Sequence, residues 1–137
     1  FGMRQPPSPG NALGLVKFMF PNRHNIYLHD TPAKNLFGRE VRAFSHGCIR
    51  LADPFDFAYA LLAVQSDSPK ALFREALDLG EEVQIDLLRR IPVHIIYRTA
   101  LARPDGGLEF RPDVYGRDAK IWLALQREGV VMGDVTG

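Results

Sequence analysis

Short apolar runs alternate along the chain with loops rich in proline, glycine and asparagine, and no single period holds from end to end. Leu15-Val16-Lys17-Phe18-Met19-Phe20, closed by Pro21-Asn22, predicts a buried strand. Asn25-Ile26-Tyr27-Leu28 predicts a second, with His29 at its end and Asp30-Thr31-Pro32 turning the chain away. Residues 33–44 read as loop with one helical turn. From residue 53 the spacing becomes helical. Asp53-Pro54 supplies an N-cap acid followed by proline at the first helical position, and Phe57, Leu61 and Val64, with Ala58 and Leu62, form an apolar stripe. Ser68-Pro69 repeats the start signal, Leu72, Phe73, Ala76 and Leu77 give a second stripe, and Gly80 ends it. Residues 83–87 and 93–102 predict strands. Arg103-Pro104-Asp105-Gly106-Gly107 predicts a turn into Leu108-Glu109-Phe110, hence a hairpin, and residues 118–128 a last helix. Phe18, Phe20, Phe55 and Phe57 are the expected aromatic core. Strands and helices that do not alternate regularly favour an α+β domain over a doubly wound parallel sheet.

Length allows one domain, residues 1–137, that buries roughly two-thirds of its unfolded surface. Seventeen basic against sixteen acidic residues leave a net charge of +1, which argues against nucleic-acid binding driven by phosphate neutralisation. No apolar stretch approaches the roughly 20 residues needed to cross a bilayer. The opening segment carries Pro6, Pro7 and Pro9 and reads as a stiff loop over residues 1–14; such a leading loop predicts further sequence upstream.

Candidate chemistry concentrates in Arg42-Ala43-Phe44-Ser45-His46-Gly47-Cys48-Ile49-Arg50, which holds the one cysteine of the chain. A cysteine thiol is only a few per cent thiolate near neutral pH and needs a base beside it. The helix starting at Asp53 gives little help, because its macrodipole fades within about one turn. Two histidines remain. His29, nineteen positions upstream at a strand end, can reach Cys48 across a local turn of chain. His46, two positions away, shares a side with Cys48 wherever the segment is extended. His29 is favoured, because a base from a separate element presents its ring without straining the loop. His24 and His94 read as surface histidines, and Arg50 either binds a substrate carboxylate or pairs with Asp53 or Asp56.

His29, fifteen intervening residues and then Ser45-His46-Gly47-Cys48 resemble the signature of the L,D-transpeptidase family, the YkuD-type catalytic domain. Further likeness to its large periplasmic branch lies in Asn11-Ala12-Leu13-Gly14, Phe18-Met19-Phe20-Pro21-Asn22, Tyr27-Leu28-His29-Asp30-Thr31-Pro32, Arg42-Ala43-Phe44-Ser45, Ile91-Pro92-Val93-His94 and Tyr115-Gly116-Arg117-Asp118. The resemblance implies a mixed, sandwich-like sheet with two or three packed helices, with upstream strands of the full domain outside this segment. It implies a periplasmic cell-wall enzyme of a Gram-negative envelope that needs no cofactor and no metal. Cys48 would attack the L-centre carbonyl of a tetrapeptide stem, His29 would act as base, and a diaminopimelate amine of a second stem would resolve the thioester. The backbone carbonyl of Asp30 would orient the His29 ring, and the N–H groups of Gly47 and Cys48 would bind the oxyanion, with His46 and Ser45 in support. Arg50, where many members carry asparagine, and Tyr27 would contact the stem peptide. Carbapenems would be covalent inhibitors, and any membrane anchor would lie outside these residues.

Rival readings differ in class. The thioester could be resolved by water, giving an endopeptidase or carboxypeptidase, or by a lipoprotein amine. Sortases also combine Cys, His and Arg, but keep their histidine far from the cysteine. A non-catalytic alternative is a wall-binding or metal-binding domain, since His29, Asp30, His46 and Cys48 number four potential tetrahedral ligands; no paired C-x-x-C or H-x-x-x-H spacing accompanies them.

Overall fold

A computed structural model describes residues 3–131 and 133, so Phe1 and Gly2 of the leading loop, and Met132 with residues 134–137 of the expected domain, lie outside the described residues. Three helices and two small sheets give the α+β class. The elements fall into two compact units, residues 1–93 and 94–137.

The first unit holds β1 (Lys17–Phe18), β2 (Leu28–His29), a 3-10 helix (Lys34–Gly38), β3 (Ile49–Arg50), α1 (Pro54–Leu62) and α2 (Pro69–Asp78). Its sheet is mixed: β1 runs antiparallel to β2, with Lys17 opposite His29, and β2 runs parallel to β3, with Leu28 opposite Ile49 and His29 opposite Arg50. The strands are shorter than the apolar runs predict. Asn22 explains one end. Its amide donates to Phe20 O (2.9 Å) and Ile26 O (2.7 Å) and accepts from the N–H groups of His24 and Ile26 (both 3.0 Å). Those backbone groups are satisfied inside the loop, so the ladder begins only at Leu28.

Asp53 caps α1, its carboxylate accepting from Asp56 N, and Pro54 follows as expected. α2 starts at Pro69 without a capping bond from Ser68, and Gly80, at φ +68°, closes it by donating to Leu77 O at 3.1 Å. The buried stripe of α1 is Pro54, Ala58 and Leu62, one residue around from the line through Phe57 and Val64; Val64 is 57% exposed. Ala58, Leu62 and Phe73 form the buried core. Phe55 and Tyr59 meet Phe73 edge-on at 5.1 and 5.6 Å between ring centres, a favoured aromatic geometry. Phe18 packs against this core and against Phe57 at 4.9 Å, which joins the sheet to the helices. Of the four expected core aromatics, Phe57 keeps 37% of its surface exposed and Phe20 lies half-buried, away from the cluster.

Residues 83–87 form no strand. Ile85 and Leu87 do pack on the core, but the backbone beside them is satisfied by one side chain: Gln65 donates to Asp86 O (3.1 Å) and accepts from Leu88 N (2.9 Å). Residues 93–99 are likewise not strand, and in the second unit pairing starts at β4 (Ala100–Ala102), which runs antiparallel to β5 (Leu108–Phe110) through the expected turn. α3 spans Arg117–Arg127; Asp113 accepts from Arg117 N (2.9 Å) and Ala119 N (3.0 Å) at its start. His94 is exposed, in a stretch that is not strand.

The leading loop packs closely against the end of β2. Gly14 has φ +65°, and a Cβ built there would overlap the Asp30 carboxylate. Asp30, 7% exposed, accepts from Leu15 N at 3.0 Å and from Lys34 Nζ at 2.7 Å. Gly14→Ala is therefore expected to destabilise the chain by about 2 to 4 kcal/mol, from left-handed strain together with overpacking; denaturant midpoints measure it, and an unchanged midpoint would contradict the packing. Burial is the largest influence on the Asp30 carboxyl and pushes it up, but the hydrogen bonds from Lys34, Leu15 and Thr31 and the Lys34 charge together hold it below its ordinary 3.8. A depressed folded value means that Asp30 contributes stability above 3.8 and loses that contribution as pH falls through the folded value. The stability gap between the native chain and Asp30→Asn should accordingly narrow in acid; a gap constant with pH would show that folding leaves the Asp30 carboxyl at its ordinary value, unaided by Lys34 and the backbone donors.

Candidate active site

Two backbone hydrogen bonds set the site. Ile49 N donates to Tyr27 O at 3.0 Å and Leu51 N to His29 O at 2.9 Å, which fixes the parallel register of β2 and β3. Side chains alternate along a strand, so Tyr27, His29, Cys48 and Arg50 share one face of this pair, and Leu28 and Ile49 share the other. The rings of Tyr27 and His29 stand 5.8 Å apart, centre to centre.

His29 is buried, with 5% of its surface exposed. Its Nδ1 is hydrogen-bonded to the carbonyl oxygen of Asp30. A carbonyl only accepts, so Nδ1 carries a proton, and in the neutral ring the lone pair lies on Nε2. Cys48 is half-buried. Its Sγ donates to Asn25 O at 3.9 Å, and among the described residues the thiol has no hydrogen bond to the His29 ring. Asn25 sits at φ +52° in the loop that Asn22 holds together, which turns its carbonyl towards the thiol. Burial pushes the Tyr27 phenol above its ordinary 10.0, and the adjoining Cys48 thiol raises it further through hydrogen bonding and charge. Tyr27 therefore stays a neutral O–H donor beside the sulfur throughout the neutral range.

Ser45, His46 and Gly47 are exposed. Gly47 N donates to Ser45 Oγ at 3.2 Å, so one of the two expected oxyanion donors is already engaged. A Cβ at Gly47 would lie 3.3 Å from Ile26 Cγ1, a tight fit against the neighbouring loop. Asn25, Phe44, Ser45, His46, Cys48 and Arg50 line an open groove in which the sulfur is accessible. The His29 side chain is buried and is not among the residues that line it. Arg50 has no carboxylate within ion-pair distance among the described residues, so the alternative pairing with Asp53 or Asp56 is not formed. His24, exposed, borders the same groove. Among the described residues no three of His, Cys, Asp and Glu are grouped to hold a metal ion, so the four-ligand arrangement considered from the sequence is not assembled.

The sequence reading passed over three residues that shape this site. Asn22 and Asn25 build the loop facing the thiol, and the Pro-Asn pair followed closely by a second asparagine was a usable turn signal. Lys34 reaches Asp30 from four positions on, a spacing visible in the sequence but of little weight outside a regular helix.

Residues 1–85 match the YkuD family, described as the L,D-transpeptidase catalytic domain. Over 114 residues the chain is 34% identical to a protein of Haemophilus influenzae named "Putative L,D-transpeptidase", an alignment that takes in 83% of this chain and 23% of that protein. The chain thus spans about a quarter of the length of the curated relative it matches. The family match contains β1 to β3, both helices of the first unit and every residue of the groove. The family match covers more than half of the chain, and by it the chain belongs to the YkuD family of L,D-transpeptidase catalytic domains.

Proposed function

We propose that residues 1–137 are the catalytic domain of a peptidoglycan L,D-transpeptidase in which Cys48 is the nucleophile and His29 the base. The observation that carries this reading is the β2–β3 register, which sets both side chains on one face of adjacent strands, while the Asp30 carbonyl engages Nδ1 of the ring and leaves Nε2 as the nitrogen available to a thiol. The groove in front of the sulfur supports a substrate that arrives from the side of Ser45 and His46.

In the first half-reaction Nε2 of His29 takes the thiol proton, and Sγ attacks the carbonyl carbon of the L-centre of diaminopimelate in a tetrapeptide stem. The S–C bond forms as the C–N bond to the terminal D-alanine breaks, and the imidazolium returns its proton to the departing amine. The tetrahedral oxyanion is received by the N–H groups of Cys48 and Gly47, the second released when the Ser45 hydroxyl turns away. The neutral Tyr27 phenol donates to the sulfur or to the stem peptide, and the unpaired Arg50 takes a stem carboxylate. In the second half-reaction a diaminopimelate amine of another stem loses its proton to His29, attacks the thioester and expels the thiolate, leaving a cross-link between two diaminopimelate residues. A peptidoglycan substrate supports a periplasmic location. Among the described residues no helix is long and apolar enough to cross a membrane.

Incubation with a carbapenem, read by intact mass, should give one covalent adduct per chain that disappears in Cys48→Ala; an adduct retained by that variant would remove the thiol from the mechanism. His29→Ala should slow acylation by about a hundredfold or more, the scale of a lost general base, while His46→Ala costs far less. Equal losses in the two variants would move the base to His46.

A further inference from the structure

Lys34 opens the 3-10 helix that follows β2. Its ammonium has three donors, and all three are used: Asp30 Oδ1 at 2.7 Å, Ala52 O at 2.9 Å and Leu51 O at 3.1 Å. Two of these acceptors immediately follow β3, the strand that Cys48 leads into. The third belongs to the residue after His29. The connection between the two strands is thus closed twice, once by the backbone ladder and once by this single cation.

Asp30 is held from its other side as well. Oδ2 accepts from Leu15 N at 3.0 Å, and the carboxylate lies against Gly14, where no side chain fits. The same residue's carbonyl accepts from Nδ1 of His29. A displacement of Asp30 therefore displaces the group that sets the tautomer and tilt of the imidazole. An exposed ion pair contributes little, but here the Asp30 side chain is only 10% exposed, against 44% for Lys34, so removing the cation leaves a buried carboxylate without its counter-charge.

We infer that Lys34 is a positioning residue for the base: its ammonium ties the end of the cysteine strand to Asp30, whose carbonyl fixes the His29 ring. The inference rests on the assignment of Cys48 and His29 in the proposed function. Its role is to preserve alignment, and misplacement of a reacting group by about 1 Å can cost about a hundredfold in rate.

The test is Lys34→Met in uniformly 15N-labelled chain, with the His29 ring signals assigned by comparison with His29→Gln. In the native chain the ring nitrogens should report one tautomer protonated at Nδ1; in Lys34→Met they should move towards an average of two tautomers. The maximal rate of carbapenem acylation should fall about tenfold to a hundredfold with the half-saturating concentration unchanged. Lys34→Arg, which keeps the charge, should recover most of the rate. A native ring spectrum and native rate in Lys34→Met would overturn the inference. If Lys34→Met does not fold, Lys34→Gln is read in the same way, and loss of the fold in both would overturn it in favour of a purely structural ion pair. A native chain that forms no adduct would count against the proposed function, while the ring spectra would still decide the role of Lys34.

Discussion

The parallel pairing of β2 with β3 is the constraint on which the rest of the site depends. Neighbouring parallel strands cannot be joined by a tight turn; the chain must leave one end and return to the other, which takes a dozen or more residues. Here the return is residues 30–48, and it contains the 3-10 helix and the Ser-His-Gly-Cys segment. The distance in sequence between His29 and Cys48 is thus the length of one crossover. Two residues that face the same way across a parallel ladder are brought together by backbone hydrogen bonds, without relying on the strength of any side-chain contact.

This arrangement explains why a small core suffices. Among the described residues only Ala58, Leu62 and Phe73 are buried hydrophobics, and the aromatic edges of Phe18, Phe55 and Tyr59 extend that core towards the sheet. The sheet contributes just two residues per strand to the ladder. Its precision comes from polar groups instead: Asn22 organises the loop before β2, and Asp30 with Lys34 organises the one after it. Such side-chain to backbone bonds are directional where apolar packing is not, which suits a site that must hold a ring at a fixed tilt.

The parts legible in the sequence were those governed by local chemistry. Asp53-Pro54 and Gly80 announce helix ends because capping and left-handed backbone depend on the residue itself and its nearest neighbours. The Arg103-to-Gly107 turn and the Ser45-to-Cys48 segment were legible for the same reason. Strand extent was not, because an apolar run does not reveal what its backbone will bond to. Residues 83–87 have the pattern of a strand, yet Gln65 takes the hydrogen bonds that a neighbouring strand would take. That His29 ends a strand, one crossover away from Cys48, was legible from residue type and spacing. Lys34 was not, since its partners Leu51 and Ala52 are carbonyls, which every residue carries and no sequence pattern marks.

The loop stitched by Asn22 forms the wall that faces the Ser-His-Gly-Cys segment, with Ile26 against Gly47 and the Asn25 carbonyl against the sulfur. Because a single amide holds this wall from within, its outward residues Arg23 and His24 are free to vary without disturbing the ladder behind them. Sequence change at His24 can therefore reshape the border of the groove while leaving β2 and β3 untouched.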